Sequence, residues 1–114
     1  MSSATTELDQ DLAGGGSLPT LFKSQERARI IEALVTNKSR ELNVSDIARL
    51  SDTTRSTVYE QLERLTELGI VEEVDRGASS FYTLNEDDEL GEMLYKLQGL
   101  TLHRLYEIDD DVEL

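Results

Sequence analysis

The sequence predicts a mainly α-helical fold with one small β-hairpin and a long final helix. Three observations lead to this prediction. Apolar residues recur at helical spacing in three consecutive segments between residues 24 and 68. Two runs of strand-forming residues, 70–74 and 80–85, then flank a turn that contains glycine. Helical spacing returns after residue 86 and continues to Ile108.

Composition excludes several classes of protein. The chain has 114 residues, 38% of them hydrophobic, which suits one small domain with extensions. It contains no cysteine, so disulfides, thiolate metal sites and thiol catalysis are excluded. No apolar run approaches the ~20 residues of a membrane span, and the N-terminus lacks a signal-peptide pattern. We therefore expect a cytoplasmic protein without a membrane segment.

The charge is strongly acidic and unevenly distributed. The formal net charge is −13, from 24 acidic and 11 basic residues. Segments 1–18, 19–44, 45–84 and 85–114 carry −3, +2, −4 and −8. This excess resembles that of proteins adapted to molar salt, whose surface carboxylates hold hydrated cations, and it predicts bound cations such as K⁺ at the acidic surface. An ordinary acidic regulator or a nucleic-acid mimic is the alternative.

The first long helix is predicted to follow Ser24, a residue type that caps helix N-termini. Ala28, Ile31 and Leu34 then recur at helical spacing. Residues 1–18 combine small polar residues, acids and a run of three glycines. Because such a segment cannot bury enough apolar surface to offset the cost of ordering, we expect a disordered tail there.

The second and third helices are predicted to meet at a tight turn. Ser45 is expected to cap the second helix, in which Ala48 must be small because the next helix crosses close to it. Asp52 occupies a turn position that often needs a positive φ, and aspartate is one of the few non-glycine residues that tolerate it. The third helix is predicted over about 54–68, and Gly69 ends it.

The remaining elements complete a recognisable order. The two strand segments are expected to be joined by a loop around Gly77 that is longer than a two-residue hairpin turn. Leu42 and Val44 alternate like a very short extra strand ahead of the second helix. Helix, short strand, helix, tight turn, helix and hairpin is the order of a winged helix-turn-helix.

At the level of family, residues 21 to about 85 resemble the winged helix-turn-helix transcription regulators of the ArsR/MarR/TrmB type found in archaea. "RSTVYEQLERLTELGIV", from Arg55, is similar to their recognition helix and first wing strand, and "FYTLN", from Phe81, to their second wing strand. Asp52 departs from the glycine usual in the turn. The resemblance implies a DNA-binding domain over 19–85. Its recognition helix would lie in the major groove and its wing, 75–80, on the minor groove or the backbone.

Candidate DNA contacts are polar side chains on the outer face of the third helix, at the start of the second helix and on the wing. Hydroxyl, amide and guanidinium groups reach base edges or phosphates, and an arginine at a loop tip suits the minor groove. The candidates are Ser45, Thr54, Arg55, Ser56, Thr57, Tyr59, Glu60, Arg64, Arg76 and Ser79. Gln61 is expected to face outward with them. Lys23, Arg27 and Arg29 make the start of the first helix locally positive, and one or two of them are expected to flank the DNA backbone. The alternative is that the hydroxyls only cap the helix and the arginines are solvated.

The final helix, 86–108, has more apolar residues than one small domain can cover. One side is expected to pack on the first helix, and the other on the same helix of a second copy. The residues assigned to this dimer contact are Leu90, Leu94, Leu97, Leu102 and Leu105. A lid within one chain is the alternative. Residues 109–114 are expected to form a loose acidic tail.

No catalytic or metal chemistry is predicted. His103 is the only histidine, and the glycine run lacks the strand before it and the Lys-Ser/Thr after it that a phosphate-binding loop needs. We therefore expect no enzyme activity, no cofactor and no metal site. Two functions remain: a sequence-specific, dimeric DNA-binding regulator, and a winged-helix protein–protein interaction module that does not bind DNA directly.

Overall fold

The computed structural model describes residue 13 and residues 15–113, with side chains through Asp109. Most of the predicted tail, 1–18, lies outside the described residues. The elements are α1 (Ser17–Phe22), α2 (Gln25–Thr36), α3 (Val44–Ser51), α4 (Arg55–Glu67), β1 (Val71–Arg76), β2 (Ser79–Leu84) and α5 (Glu89–Glu113). The short helix α1 was not predicted, and the three predicted helices that follow it are α2, α3 and α4.

Side-chain caps set where α2 and α3 begin. Ser24 caps α2 as predicted, since its hydroxyl accepts a hydrogen bond from the Arg27 amide at 3.2 Å. The cap of α3 is Asn43, so the prediction of Ser45 as the cap is wrong. Asn43 and Asp46 each accept a hydrogen bond from the other's backbone N–H, at 2.8 and 3.2 Å. This reciprocal pair satisfies two helix-end donors and leaves Ser45 exposed in the first turn.

A single hydrophobic core joins α2, α3, α4 and the hairpin. Burying a large aliphatic side chain contributes about 1.5–3 kcal/mol, so this cluster is the main source of the domain's stability. Its fully enclosed members are Ile30, Leu34, Val35, Ile47, Val58, Leu65 and Ile70.

The turn between α3 and α4 has the geometry that the sequence predicts. Asp52 adopts the left-handed conformation, with φ 54° and ψ 48°. Ala48 is buried at the crossing of the helices, and its carbonyl accepts from the Thr53 amide at 3.0 Å. Ser51 is buried and its hydroxyl donates to the Ile47 carbonyl at 2.6 Å. These local bonds hold the angle between the two helices.

The hairpin, β1 and β2, is antiparallel and closes with a two-residue turn, so the prediction of a longer loop is wrong. Arg76 pairs with Ser79, which leaves only Gly77 and Ala78 between the strands. Gly77 has φ 81°, the conformation that a type II′ turn needs at its first central residue. Both strands continue beyond their apolar residues to the turn, because the solvent-exposed end of a hairpin pairs through its backbone and needs no buried side chains. A short bridge from Leu42 to β2 is also present, as predicted.

Helix α5 follows the hairpin directly. Asp88 caps it, accepting hydrogen bonds from the Leu90 and Gly91 amides, both at 3.0 Å. The helix continues to Glu113, through residues expected to form a loose tail, because an existing helix extends without a new nucleation cost. Leu94 is 5% exposed and belongs to the core. Its apolar surface is therefore already covered within one chain, and we remove it from the dimer contact.

Gly91 is required by the close approach of α5 to the chain before it. A Cβ at this position would lie 2.5 Å from the Asn85 carbonyl oxygen, whereas a Cβ at Gly99 would meet nothing within 4 Å. We expect Gly91→Ala to lower the free energy of unfolding by about 1–3 kcal/mol, because the backbone must shift to admit the methyl group. Thermal or urea unfolding measures the change.

Gly99→Ala is the matched control for this prediction. Removing a glycine from an open helix position should raise stability by up to ~1 kcal/mol. Equal effects of the two substitutions would contradict the steric explanation.

Candidate nucleic-acid interface

The burial of one side of α4 decides which of its residues face solvent. Val58, Leu62 and Leu65 are buried in the core. Because these residues define one helix face, the opposite face is turned outward. Its predicted contact residues include Arg55, Ser56 and Glu60, all exposed. Tyr59 is 59% exposed, so it does not complete the core.

Two hydroxyls at the start of α4 are already used within the helix. Thr54 is the N-cap, and its Oγ1 accepts from the Thr57 amide at 3.2 Å. Its hydroxyl also donates to Thr57 Oγ1 at 2.9 Å. The alternative in which hydroxyls at this position cap the helix therefore applies to Thr54. It leaves the Thr57 hydroxyl with a proton to donate to an incoming group.

The arginines near this face differ in how they are paired. Arg64 lies 3.4 Å from the Glu67 carboxylate. Arg76 makes two hydrogen bonds to the Glu41 carboxylate, at 2.9 and 2.5 Å. These bonds join the wing to the segment that precedes α3. Arg55 has no hydrogen bond or ion pair within the described residues, so of these three arginines it is the one most available to a ligand.

The Glu41–Arg76 pair stabilises the ionised form of both side chains. The hydrogen bond from Arg76, together with its charge, lowers the pKa of the Glu41 carboxyl below its ordinary value. The same bond raises the pKa of Arg76. Because the folded pKa of Glu41 is depressed, the pair stabilises the fold above the ordinary carboxyl pKa. That contribution is lost as the pH falls through the lowered value.

Arg27 makes internal hydrogen bonds, one of them to Gln61, which removes it from the three basic residues of which one or two are predicted to flank the DNA backbone. Arg27 is 6% exposed, and its Nε donates to Gln61 Oε1 on α4 at 2.7 Å. Its Nη1 donates to the carbonyls of Thr20 and Leu21 at 3.1 and 3.3 Å. A buried guanidinium needs such partners. Arg27 lies at helical spacing before Ile31, and this position on the apolar face is the signal that could have revealed its burial.

A concave cleft opens between α4 and the hairpin, with a volume of about 620 Å³. We call it the acidic cleft. The residues that characterise it are Tyr59, Glu60, Glu63, Glu73 and Tyr82. Burial raises the pKa of the Tyr82 phenol, and the nearby negative charge of Glu73 raises it further. The sequence did not single out Glu73 or Tyr82, because only the pairing of β1 with β2 places them opposite each other.

A second, apolar groove of about 230 Å³ runs between α2 and α5. Ile31 and Val35 line one wall, and Leu97 and Leu102 line the other. Leu90, Leu97, Leu102 and Leu105 are each more than a third exposed. One side of α5 therefore remains uncovered in the single chain.

Two other features are absent from the described residues: a cluster of metal ligands and a membrane-spanning helix. No group of three or more His, Cys, Asp or Glu side chains among them is arranged to hold a metal ion. Within the same residues, no helix is long and apolar enough to cross a membrane.

Comparison with known proteins supports the architecture. Residues 24–74 match the sequence family described as "Helix-turn-helix domain". This match spans α2, α3, α4 and most of β1. No curated protein sequence matches the chain.

The solved structures that are similar to nearly the whole chain include NadR, AntR and Mb0332. NadR in complex with 4-hydroxyphenylacetate is 23% identical, with a TM-score of 0.64, and the match covers 100% of this chain and 83% of NadR. AntR, an antimony-specific transcriptional repressor, is 21% identical, with a TM-score of 0.63 and coverage of 96% and 86%. The third is the homodimeric winged helix-turn-helix DNA-binding domain of Mb0332 from Mycobacterium bovis, a possible ArsR-family transcriptional regulator. It is 21% identical, with a TM-score of 0.58 and coverage of 97% and 93%.

The fold is that of a winged helix-turn-helix, and the predicted fold class is confirmed. Helices α3 and α4 form the helix-turn-helix, and the hairpin β1–β2 is the wing.

Proposed function

We propose that the protein is a dimeric, sequence-specific DNA-binding transcription regulator of the cytoplasm, with no enzyme activity. The observation that carries the proposal is the outer face of α4. Its apolar side is held in the core, so that Arg55, Ser56 and Tyr59 are displayed together. Arg55 supplies a bidentate donor for guanine or phosphate, and the hydroxyls supply shorter contacts to base edges. In this proposal α4 lies in the major groove.

The other candidates contribute contacts around this centre. Ser45 and Thr54 lie in or beside the first turns of α3 and α4, where free backbone N–H groups favour phosphate. Arg64 extends the positive edge of α4. Arg76 and Ser79 pair across the wing turn, and they approach the minor groove or the backbone. Arg76 then exchanges the Glu41 carboxylate for a phosphate.

We propose that the exposed side of α5 holds the dimer together. The contact would use Leu90, Leu97, Leu102 and Leu105, which the single chain leaves exposed. Mb0332, which has the same fold, is homodimeric. Two copies would place two recognition helices about one DNA turn apart, and the second contact would then form at a high effective concentration.

We also propose that the protein is adapted to high salt, with cations such as K⁺ at its acidic surface. The net charge of −13 and the exposed carboxylates of Glu60 and Glu63 beside the DNA-facing residues support this. Cations taken up at these carboxylates would let phosphates approach. Glu60 has the further option of accepting from a cytosine amino group.

Arg55→Ala should weaken DNA binding by about 1–3 kcal/mol, because it removes the unpaired cation of α4. The DNA is first selected from genomic fragments captured by the wild-type protein in KCl, and the dissociation constant is then measured on the captured sequence. Arg104→Ala on α5 removes the same charge away from α4 and should leave binding unchanged.

Failure of this prediction would favour the second candidate function, a protein–protein interaction module with a basic partner. The pairing of Arg64 and Arg76 with glutamates favours that alternative, since it leaves fewer free cations for DNA. Wild-type protein that captures no DNA, or capture that Arg55→Ala does not change, would support it.

Leu97→Glu combined with Leu105→Glu should convert the dimer to a monomer, because two carboxylates would be buried in the apolar contact. Sedimentation equilibrium measures the mass: the wild-type should have about twice the 12.8 kDa of one chain, and the double variant 12.8 kDa. Leu50→Glu changes an exposed leucine on α3 and serves as the control. A wild-type monomer, or a double variant that stays dimeric, would refute this contact.

The DNA-binding constant should fall little, or rise, between ~0.2 and ~2 M KCl, since cation uptake offsets the usual release of cations from DNA. Glu60→Gln should move the slope toward the ordinary negative value. A steep loss of affinity with salt throughout the range in the wild-type protein would reject cation uptake.

A further inference from the structure

The ion pair between Glu41 and Arg76 joins the wing to the segment before α3, and we call it the wing latch. We propose, as an extension that rests on the proposed DNA-binding function, that Glu41 is an autoinhibitory residue. In the free protein its carboxylate occupies the Arg76 guanidinium and competes there with a DNA phosphate. Breaking the latch should therefore strengthen DNA binding.

The wing latch connects the end of the hairpin to a segment on the other side of the sheet. Arg76 is the last residue of β1 and pairs with Ser79. Leu42, next to Glu41, exchanges two backbone hydrogen bonds with Tyr82 on β2, at 2.9 and 2.7 Å. Because β1 and Leu42 lie on opposite edges of β2, the Arg76 and Glu41 side chains meet across β2. The latch therefore directs the guanidinium across the hairpin.

The contact within the latch has the form that arginine also uses for phosphate. Nε and Nη2 of Arg76 donate to different oxygens of the Glu41 carboxylate, at 2.9 and 2.5 Å. A guanidinium presents two such N–H groups to a carboxylate or to a phosphate in the same way. These two donors cannot serve both acceptors at once. A bidentate phosphate contact through them therefore requires the latch to open.

The latch is exposed enough for a phosphate to displace the carboxylate. The side chains of Arg76 and Glu41 are 58% and 36% exposed. Ion pairs in such positions are weak, and added salt screens them. The hydrogen bond from Arg76 lowers the pKa of the Glu41 carboxyl, so the pair is fully charged in neutral solution. The apparent DNA affinity is then reduced in proportion to the fraction of molecules whose latch is closed.

A purely structural role for the same pair predicts a change of the opposite sign. If the bonds to Glu41 only held the wing in position for DNA, their loss would loosen the wing and weaken binding. Autoinhibition predicts tighter binding when the carboxylate is removed. The direction of the change in affinity therefore distinguishes the two roles.

The affinity of Glu41→Gln for the DNA captured by the wild-type protein tests the proposal. We expect binding about two- to fivefold tighter than that of the wild type at ~0.1 M KCl, which is the size of an exposed ion pair. The gain should shrink toward none at ~2 M KCl, because salt screens the pair. Glu72→Gln is the matched control, since Glu72 is an exposed carboxylate on β1 without an ion pair in the described part of the chain. It removes the same charge and should change the affinity much less.

A double-mutant cycle with Arg76→Ala shows whether Glu41 acts through Arg76. In the Arg76→Ala protein, Glu41→Gln should tighten binding no more than Glu72→Gln does, because the arginine that it would release is absent. A second measurement needs no DNA: in the Glu41→Gln protein, hydrogen exchange at Arg76 Nε, followed by NMR, should be faster than in the wild type.

Three results would overturn the proposal. If Glu41→Gln binds DNA no tighter than Glu72→Gln, the pair does not oppose binding. An equal gain in the Arg76→Ala protein would mean that Glu41 acts on DNA directly, by repulsion. If neither the wild type nor Glu41→Gln captures DNA, the proposed function fails together with the autoinhibitory role. Wild-type DNA binding without a gain in Glu41→Gln refutes the autoinhibitory role alone.

Discussion

The burial of the apolar side of α4 is the constraint on which the rest of the structure depends. Val58, Leu62 and Leu65 are in contact with the core that α2 and α3 complete. Rotation of α4 about its axis would expose these residues at a cost of several kcal/mol. The outward face is therefore determined by the inward one. The buried Arg27 guanidinium adds a directional hydrogen bond to Gln61, which fixes the helix further against α1 and α2.

An acidic chain proposed to bind DNA must keep its carboxylates from cancelling its cations. In this chain carboxylates neutralise part of the charge of two arginines, because Glu41 pairs with Arg76 and Glu67 pairs with Arg64. Only Arg55 on α4 lacks such a partner in the described residues. The net charge of the outer face of α4 therefore depends on the cations that the surrounding salt supplies. This dependence links the proposed DNA contact to the cations in the medium.

Helix α5 has two roles along its length. Near its start, Gly91 and Leu94 are buried against the domain, and Asp88 caps the helix where the hairpin ends. Further along, Leu102 and Leu105 are exposed. One helix thus connects the body that holds α4 to the surface available for a second copy. In the proposed dimer, a change in how the two copies pack along α5 would alter the spacing of their α4 helices.

Local signals in the sequence were enough for the order of elements and for several bounds. The Ser24 cap, the left-handed Asp52 and the turn at Gly69 are determined within a few residues, so propensity and spacing predict them. The same reasoning failed for Ser45, because two capping residues compete there. It also failed for the hairpin turn, because polar strand ends have no apolar pattern.

The tertiary structure alone decided which side chains meet across the chain. The Arg27–Gln61 and Glu41–Arg76 bonds join residues 34 and 35 positions apart, and no local pattern encodes such distances. The strand register places Glu73 opposite Tyr82. The fit of α5 decides that Leu94 is buried while Leu97 is exposed. The sequence thus determined the fold and the face of α4, because periodicity is local. Packing determined the partners of the charged groups, because those depend on where distant elements come together.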